Sequence, residues 1–200
     1  MRYTSDQKQQ TAANILAAAG RGFRLEGYGG AGVDGLAHEA GVTSGAFYKH
    51  FPSKAAAFEA AVGAGLKSFE KYLVQAIANP DKDWLIALVD YYFGKEHVAN
   101  LADGCAVPGL TGEVIRGSEQ VRVVYQQGIE GIVSTIASGL THLAESERRP
   151  RAWAVLAMLS GGVQMARAVQ DNAKADEIAT AMRETVLRFA KAPRALSKSR

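Results

Sequence analysis

The sequence predicts an all-α protein of about nine helices, and three observations carry that prediction. Apolar residues recur every three or four positions through most of the chain, which is the helical period. No stretch alternates with period two, and no Asn-Gly or Asp-Gly turn separates two β-branched runs. Each proline, Pro52, Pro80, Pro108, Pro150 and Pro193, falls where a helix can start or has stopped.

The elements follow in chain order. Ala12, Ile15, Leu16, Ala19 and Phe23 form one face of a first helix. The run Gly27-Tyr28-Gly29-Gly30-Ala31-Gly32 has the spacing of a dinucleotide-binding glycine motif, but a helix precedes it, not a strand. About 20 residues on, where that motif needs an acid, stand Phe51, Pro52 and Ser53. The glycines are therefore read as a flexible corner between the first two helices. From Val33 to Phe51 two short helices are joined by a tight turn, with Leu36, Ala37 and Ala40 facing inward on the first. Gly41 stands where the chain leaves that helix, Val42 plugs the corner, and Phe47 and Phe51 pack back from the second helix. Such a pair is a helix-turn-helix, whose second helix enters the major groove of DNA.

Phe58, Val62, Leu66, Phe69, Leu73 and Ile77 predict a long fourth helix from about Lys54 to Ala78. Val121, Tyr125, Gly128, Ile132, Ile136, Leu140 and Leu143 predict another. Trp153 to Val169 is apolar almost all round and rich in small residues, so it needs cover on every side. Ile178, Met182, Val186 and Phe189 give the following helix one apolar stripe. Two such helices packed on their symmetry mates would make a four-helix dimer contact, whereas the alternative hairpin would close only its own subunit.

Composition limits the function classes. The 200 residues are 48% hydrophobic and 22% charged, the balance of a globular protein. The N-terminus has no apolar signal core and no apolar stretch is long enough to span a bilayer, so a cytoplasmic protein with no membrane partner is expected. A single cysteine, Cys105, excludes an internal disulfide framework, and His38, His50, His97 and His142 lack metal-site spacing. No metal, no cofactor and no catalytic constellation is expected; no Gly-x-Ser-x-Gly elbow occurs. Residues 1–54 carry six Lys/Arg against four Asp/Glu, residues 55–190 thirteen against sixteen, and residues 191–200 four basic side chains and no acid. A mildly basic head on an acidic body suits a module that meets phosphates at one end.

Gly27-Tyr28, followed by Val33, Leu36-Ala37, Ala40-Gly41-Val42-Thr43, Gly45, Phe47-Tyr48, His50-Phe51 and Ser53-Lys54, resembles the signature of the TetR family of transcriptional regulators. The match spans roughly the first 60 residues without a gap. It implies a DNA-binding domain over residues 1–54 and a ligand-binding and dimerisation domain over 55–190, while residues 191–200, basic and without an acid, read as a disordered tail. It also implies a homodimer through the last two helices, a double-stranded DNA operator and a small-molecule effector. Gly32 departs from the family pattern, which has Ser or Thr before the first motif helix.

Thr43, Ser44, Gly45 and Ala46 lie at the base-facing end of the recognition helix. Thr43 and Ser44 can hydrogen-bond bases or phosphates, and Ala46 can touch a thymine methyl. Tyr48, Lys49 and His50 suit flanking phosphates, with packing inside the small domain as the alternative for Tyr48 and His50. Lys54 fits a phosphate clamp by family likeness. A dimer of such heads predicts a pseudo-palindromic operator with half-sites about one turn apart or slightly further, and steep salt dependence.

For the effector, Trp84, Tyr92, Cys105, Tyr125, Met158 and Met165 are the candidate ligand-binding residues, with Tyr91, Phe93, His97 and Gln126 nearby in the pattern. Aromatic and flexible linings suit a hydrophobic or aromatic compound of moderate size, although the same residues also make ordinary helical core. Cys105 is either a small buried apolar residue or a thiol activated by a helix start, which would make the protein a redox or electrophile sensor.

Overall fold

A computed structural model describes residues 5–192; Pro193 and the rest of the basic tail lie outside the described residues. Within them the chain is entirely helical, with ten helices and no strand. They are α1 (Ser5–Gly30), α2 (Val33–Glu39), α3 (Ser44–His50), α4 (Lys54–Ala78), α5 (Trp84–Phe93), α6 (Lys95–Ala99), α7 (Ala106–Ile115), α8 (Glu119–Gly139), α9 (Glu145–Ala168) and α10 (Asn172–Lys191). The helix beyond the nine expected is α6, five residues long and too short to show a period.

Two further points differ from the sequence expectation. The glycine corner is not a loop: helical hydrogen bonding continues to Gly30, and the bend is made by Gly27 alone, at φ 71° and ψ 171°. That conformation is open to glycine and costly for other residues. Pro150 lies inside α9, in its second turn, so the carbonyl of Ser146 loses its helical partner there. The acids Glu145 and Glu147 favour the helix start upstream of the proline, where they meet the positive end of the helix dipole.

The chain forms two compact units. One comprises residues up to Glu70 with Asn100–Ile129. Its core is Ile15, Ala18, Ala19 and Phe23 of α1, Leu36 and Ala37 of α2, Phe47 of α3, Phe58, Val62 and Leu66 of α4, and Leu110 of α7. Phe23, Tyr28 and Phe58 form an aromatic cluster, with Phe23 and Tyr28 each 5.1 Å from Phe58 between ring centroids. The α7 helix reaches α4 closely enough that a Cβ on Gly65 would lie 2.6 Å from Ala106 Cβ.

The other unit comprises Lys71–Ala99 with the chain from Glu130 onward. Leu85, Leu88, Val89 and Tyr92 of α5, Ile132, Val133 and Ile136 of α8, and Val155, Leu156, Leu159 and Val163 of α9 fill its core with Val186 of α10. Arginines close its connections by satisfying carbonyls at helix ends and in the α8–α9 loop. Arg148 donates to Leu143 and Thr141, Arg151 to Phe189 and Ala192, and Arg167 to His97 and Val98. The α9 helix buries only one side here. Its other face runs through Trp153, Ala157, Gln164, Met165 and Ala168, all exposed, and a Cβ on Gly161 would meet nothing within 4 Å. Among the described residues no helix is long and apolar enough to cross a membrane.

Candidate nucleic-acid interface

The turn between α2 and α3 is built from local backbone chemistry. Ala40 ends α2, Gly41 takes φ 70°, and the amides of Gly41 and Val42 bond back to His38 and Ala37 at 3.0 and 2.9 Å. Glycine at Gly41 carries no penalty for this left-handed step. Thr43 then caps α3: its hydroxyl accepts the amide of Ala46 at 3.2 Å. Gly32, at the corresponding place before α2, makes no side-chain cap. On α3, Phe47 is fully buried and packs on Phe51, 5.8 Å between ring centroids. The same short helix thereby turns Thr43, Gly45, Tyr48 and Lys49 outward, with Tyr48 52% exposed. Ser44, Ala46 and His50 are half-buried.

Several of these side chains have partners that the sequence did not disclose. The Ser44 hydroxyl donates to Asp34 Oδ1 at 2.5 Å. Lys54 Nζ donates to the Ala31 carbonyl at 3.0 Å and lies 4.6 Å from the centre of the Tyr28 ring. Arg21 on α1 pairs with Glu39 on α2 at 2.6 Å, with both side chains about one-third exposed. Asp34 and Arg21 follow no motif, and their roles come from which helices meet. The arrangement is that of a helix-turn-helix DNA-binding protein, with a buried anchor behind and a polar edge in front.

Comparison with known proteins agrees. Residues 15–61 match the family described as bacterial regulatory proteins, tetR family. An uncharacterised HTH-type transcriptional regulator of Lactococcus lactis subsp. lactis, from the lacX 3' region, is 27% identical over 169 residues, covering 82% of this chain and 86% of that one. Among solved structures, the reduced form of E. coli NemR superposes with a TM-score of 0.75 at 20% identity, covering 90% of this chain and 97% of that one. A TetR-family regulator from Agrobacterium tumefaciens gives 0.73 at 21% identity, covering 89% and 98%. Over residues 15–61 the chain is thus similar to the DNA-binding part of TetR-family regulators, and its fold is shared with solved members of that family.

The candidate effector residues divide between the two units. In the first, Tyr125 is half-buried and its hydroxyl lies 2.8 Å from Thr111 Oγ1. Burial pushes the Tyr125 pKa up, the Thr111 hydrogen bond opposes that, and the nearby Cys105 adds to the rise. Cys105 is buried and is the capping residue of α7, with no side-chain cap bond. In the second unit Trp84 seats its indole where Gly139 has no side chain, because a Cβ there would lie 2.7 Å from the ring. The indole forms one wall of an open cleft of about 700 Å³ that also holds Asp83, His142 and Lys191. Burial alone would raise the Asp83 pKa, but the hydrogen bond from Lys191, the amides of Ile86 and Leu85 and the Lys191 charge hold it below the usual value.

Tyr92 is fully buried, Met158 is half-buried, and Met165 is 61% exposed. The sequence reading omitted Tyr72, whose ring lies 5.4 Å from Tyr91. His97 sits 4.6 Å from Tyr91 and 5.2 Å from Tyr92, so four rings form one cluster in this unit. Burial pushes the His97 pKa down, the bond to the Tyr92 carbonyl opposes this, and the Arg167 charge lowers it further.

Proposed function

We propose that this protein is a homodimeric repressor that releases a palindromic operator when a small hydrophobic or aromatic effector binds. The carrying observation is α3, which buries Phe47 completely while leaving Tyr48 half in solvent beside exposed Gly45 and Lys49. Residues 1–54 act as the DNA-binding head, with Thr43, Ser44, Gly45 and Ala46 at base edges and Tyr48, Lys49, His50 and Lys54 toward phosphates. The exposed apolar face of α9 supports dimerisation through α9 and α10, because a face of Trp153, Ala157, Met165 and Ala168 is covered when a second copy packs on it. The role is non-catalytic and is exercised where DNA is, in the cytoplasm.

For the effector, two separate groups remain candidates, Tyr125 in the first unit and Trp84, Tyr92 and Met158 in the second, while Met165 stands on the face given to the dimer. Binding shifts the population toward dimers whose two heads no longer match the half-site spacing. A second reading runs regulation through Cys105. It is supported by the place of this thiol at the start of α7 beside Tyr125 and by the fold shared with a protein solved in a reduced form.

Fluorescence anisotropy against DNA upstream of its own gene, at two salt concentrations, tests the main reading. Binding that outcompetes random duplex and weakens with salt supports it. Binding no tighter than to random DNA, together with no enrichment from a random-sequence pool, overturns it. Quinone alkylation that leaves operator affinity unchanged in both wild type and Cys105→Ser overturns the second reading.

A further inference from the structure

We propose that Asp34 and Ser44 act together as a base-reading pair that presents only hydrogen-bond acceptors, and so selects an exocyclic amine, adenine N6 or cytosine N4, in the major groove. The inference rests on the DNA-binding reading above and goes a step further, to the chemistry of the base that is read.

A serine hydroxyl has one proton to donate and lone pairs to accept with, whereas a carboxylate only accepts. The 2.5 Å contact between Ser44 Oγ and Asp34 Oδ1 therefore uses the serine's one proton. What Ser44 has left for DNA is acceptor capacity, and Asp34 Oδ2 beside it is an acceptor as well. Neighbouring Thr43 is arranged the opposite way. Its oxygen already accepts the Ala46 amide, which leaves its proton free to donate. Two adjacent hydroxyls in the recognition segment thus carry opposite polarity, and the difference is imposed by Asp34 from α2.

Base edges and phosphates differ in what such a pair accepts. Phosphate oxygens, guanine O6 and N7 and thymine O4 are all acceptors, so Ser44 has no proton for them and the Asp34 charge repels phosphate. Adenine N6 and cytosine N4 are the major-groove amines that donate. Asp34 is exposed and Ser44 half-buried, so the pair is open on its solvent side. Gly32 removes the hydroxyl that would otherwise draw a phosphate to the start of the same helix.

The test is selection from a random-sequence duplex pool with wild type, Ser44→Ala and Asp34→Asn at one salt concentration. Circular dichroism melting verifies that each variant is folded. Wild type is expected to enrich one base pair at one position of each half-site, and Ser44→Ala to flatten that position by about tenfold while the others persist. In Asp34→Asn the amide can donate to Ser44 Oγ and free its proton, so the preference at that position changes.

Duplexes in which that base is replaced by purine or by 2-pyrimidinone, each lacking the amine, identify which base is read: the matching analogue costs wild type about tenfold. Every base pair presents one such amine and, on the other strand, thymine or guanine, so the analogues decide: wild type that binds both analogue duplexes as tightly as the parent overturns the proposal. So does a Ser44→Ala protein that enriches the same sequence unchanged, or, if that variant does not fold, an Asp34→Asn protein that does so. No enrichment by wild type is a different result, because it removes the DNA-binding reading itself.

Discussion

Lys54, the first residue of α4, reaches back to the carbonyl of Ala31 at 3.0 Å and holds its ammonium 4.6 Å from the Tyr28 ring centre. The family likeness suggested a phosphate clamp, and the geometry gives the same side chain a structural role. An ammonium has three protons, so one bond to Ala31 leaves two for a phosphate. Lys54→Ala is expected to lower stability by about 1 kcal/mol. It is also expected to reduce the slope of log K against log salt by about one unit, measured by anisotropy at four salt concentrations. An unchanged slope with lowered stability would assign Lys54 to structure alone.

Gly41→Ala isolates the conformational demand of the helix-turn-helix corner. A Cβ at Gly41 meets nothing within 4 Å, so the only penalty is the positive φ of 70°. A loss of about 1–2 kcal/mol in urea unfolding is expected, with an unchanged m-value. Asn at the same site should recover part of it, because Asn tolerates this conformation better than Ala.

Gly65→Ala is the steric counterpart. Its Cβ would lie 2.6 Å from Ala106 Cβ, and a methyl on a short side chain cannot swing away, so α4 or α7 must move. Overpacking of this kind costs about 1–3 kcal/mol, more than alanine's better helix propensity returns. A melting temperature that rises would show that this helix contact is looser than described.

His97 predicts the direction of a pH effect. Burial first, then the Arg167 charge, lower its pKa below the 6.5 usual for an imidazole. The unfolded chain therefore takes up its proton at higher pH than the folded one, and stability falls as pH drops from 6.5 toward the folded value. Asp83 contributes nothing in that window, because its own lowered pKa lies below 3.8 and its stabilisation is lost only at lower pH. Melting temperatures at pH 7.5 and 5.5 should differ more for wild type than for His97→Gln.

Gly161→Arg tests the dimer. A Cβ there meets nothing within 4 Å in the protomer, so the substitution leaves the subunit's own packing intact. Light scattering is expected to report a monomer, and operator affinity to fall sharply, because one head contacts only one half-site. A dimer of unchanged mass would place the contact elsewhere.

Much of this architecture was legible in the residues alone. The period of Phe58, Val62, Leu66, Phe69, Leu73 and Ile77 placed α4 at Lys54–Ala78, because a helix that buries one stripe must repeat it every turn. The run from Val33 to Phe51 set the helix-turn-helix, because its glycine and small residues answer local demands of turn and crossing. Pro150 was misread, since the acids of the first turn start the helix before the proline and one missing bond does not stop it. The five-residue α6 is too short for any period to mark.

Tertiary structure alone decided the partnerships. Nothing in the sequence indicates that Asp34 would accept the hydrogen bond of Ser44, that Lys54 would reach Ala31, or that Tyr72, Tyr91, Tyr92 and His97 would share one cluster. Local pattern reports what one helix needs from its surroundings. Which side chain meets that need depends on helices distant in sequence, and their approach is set by packing across the whole unit.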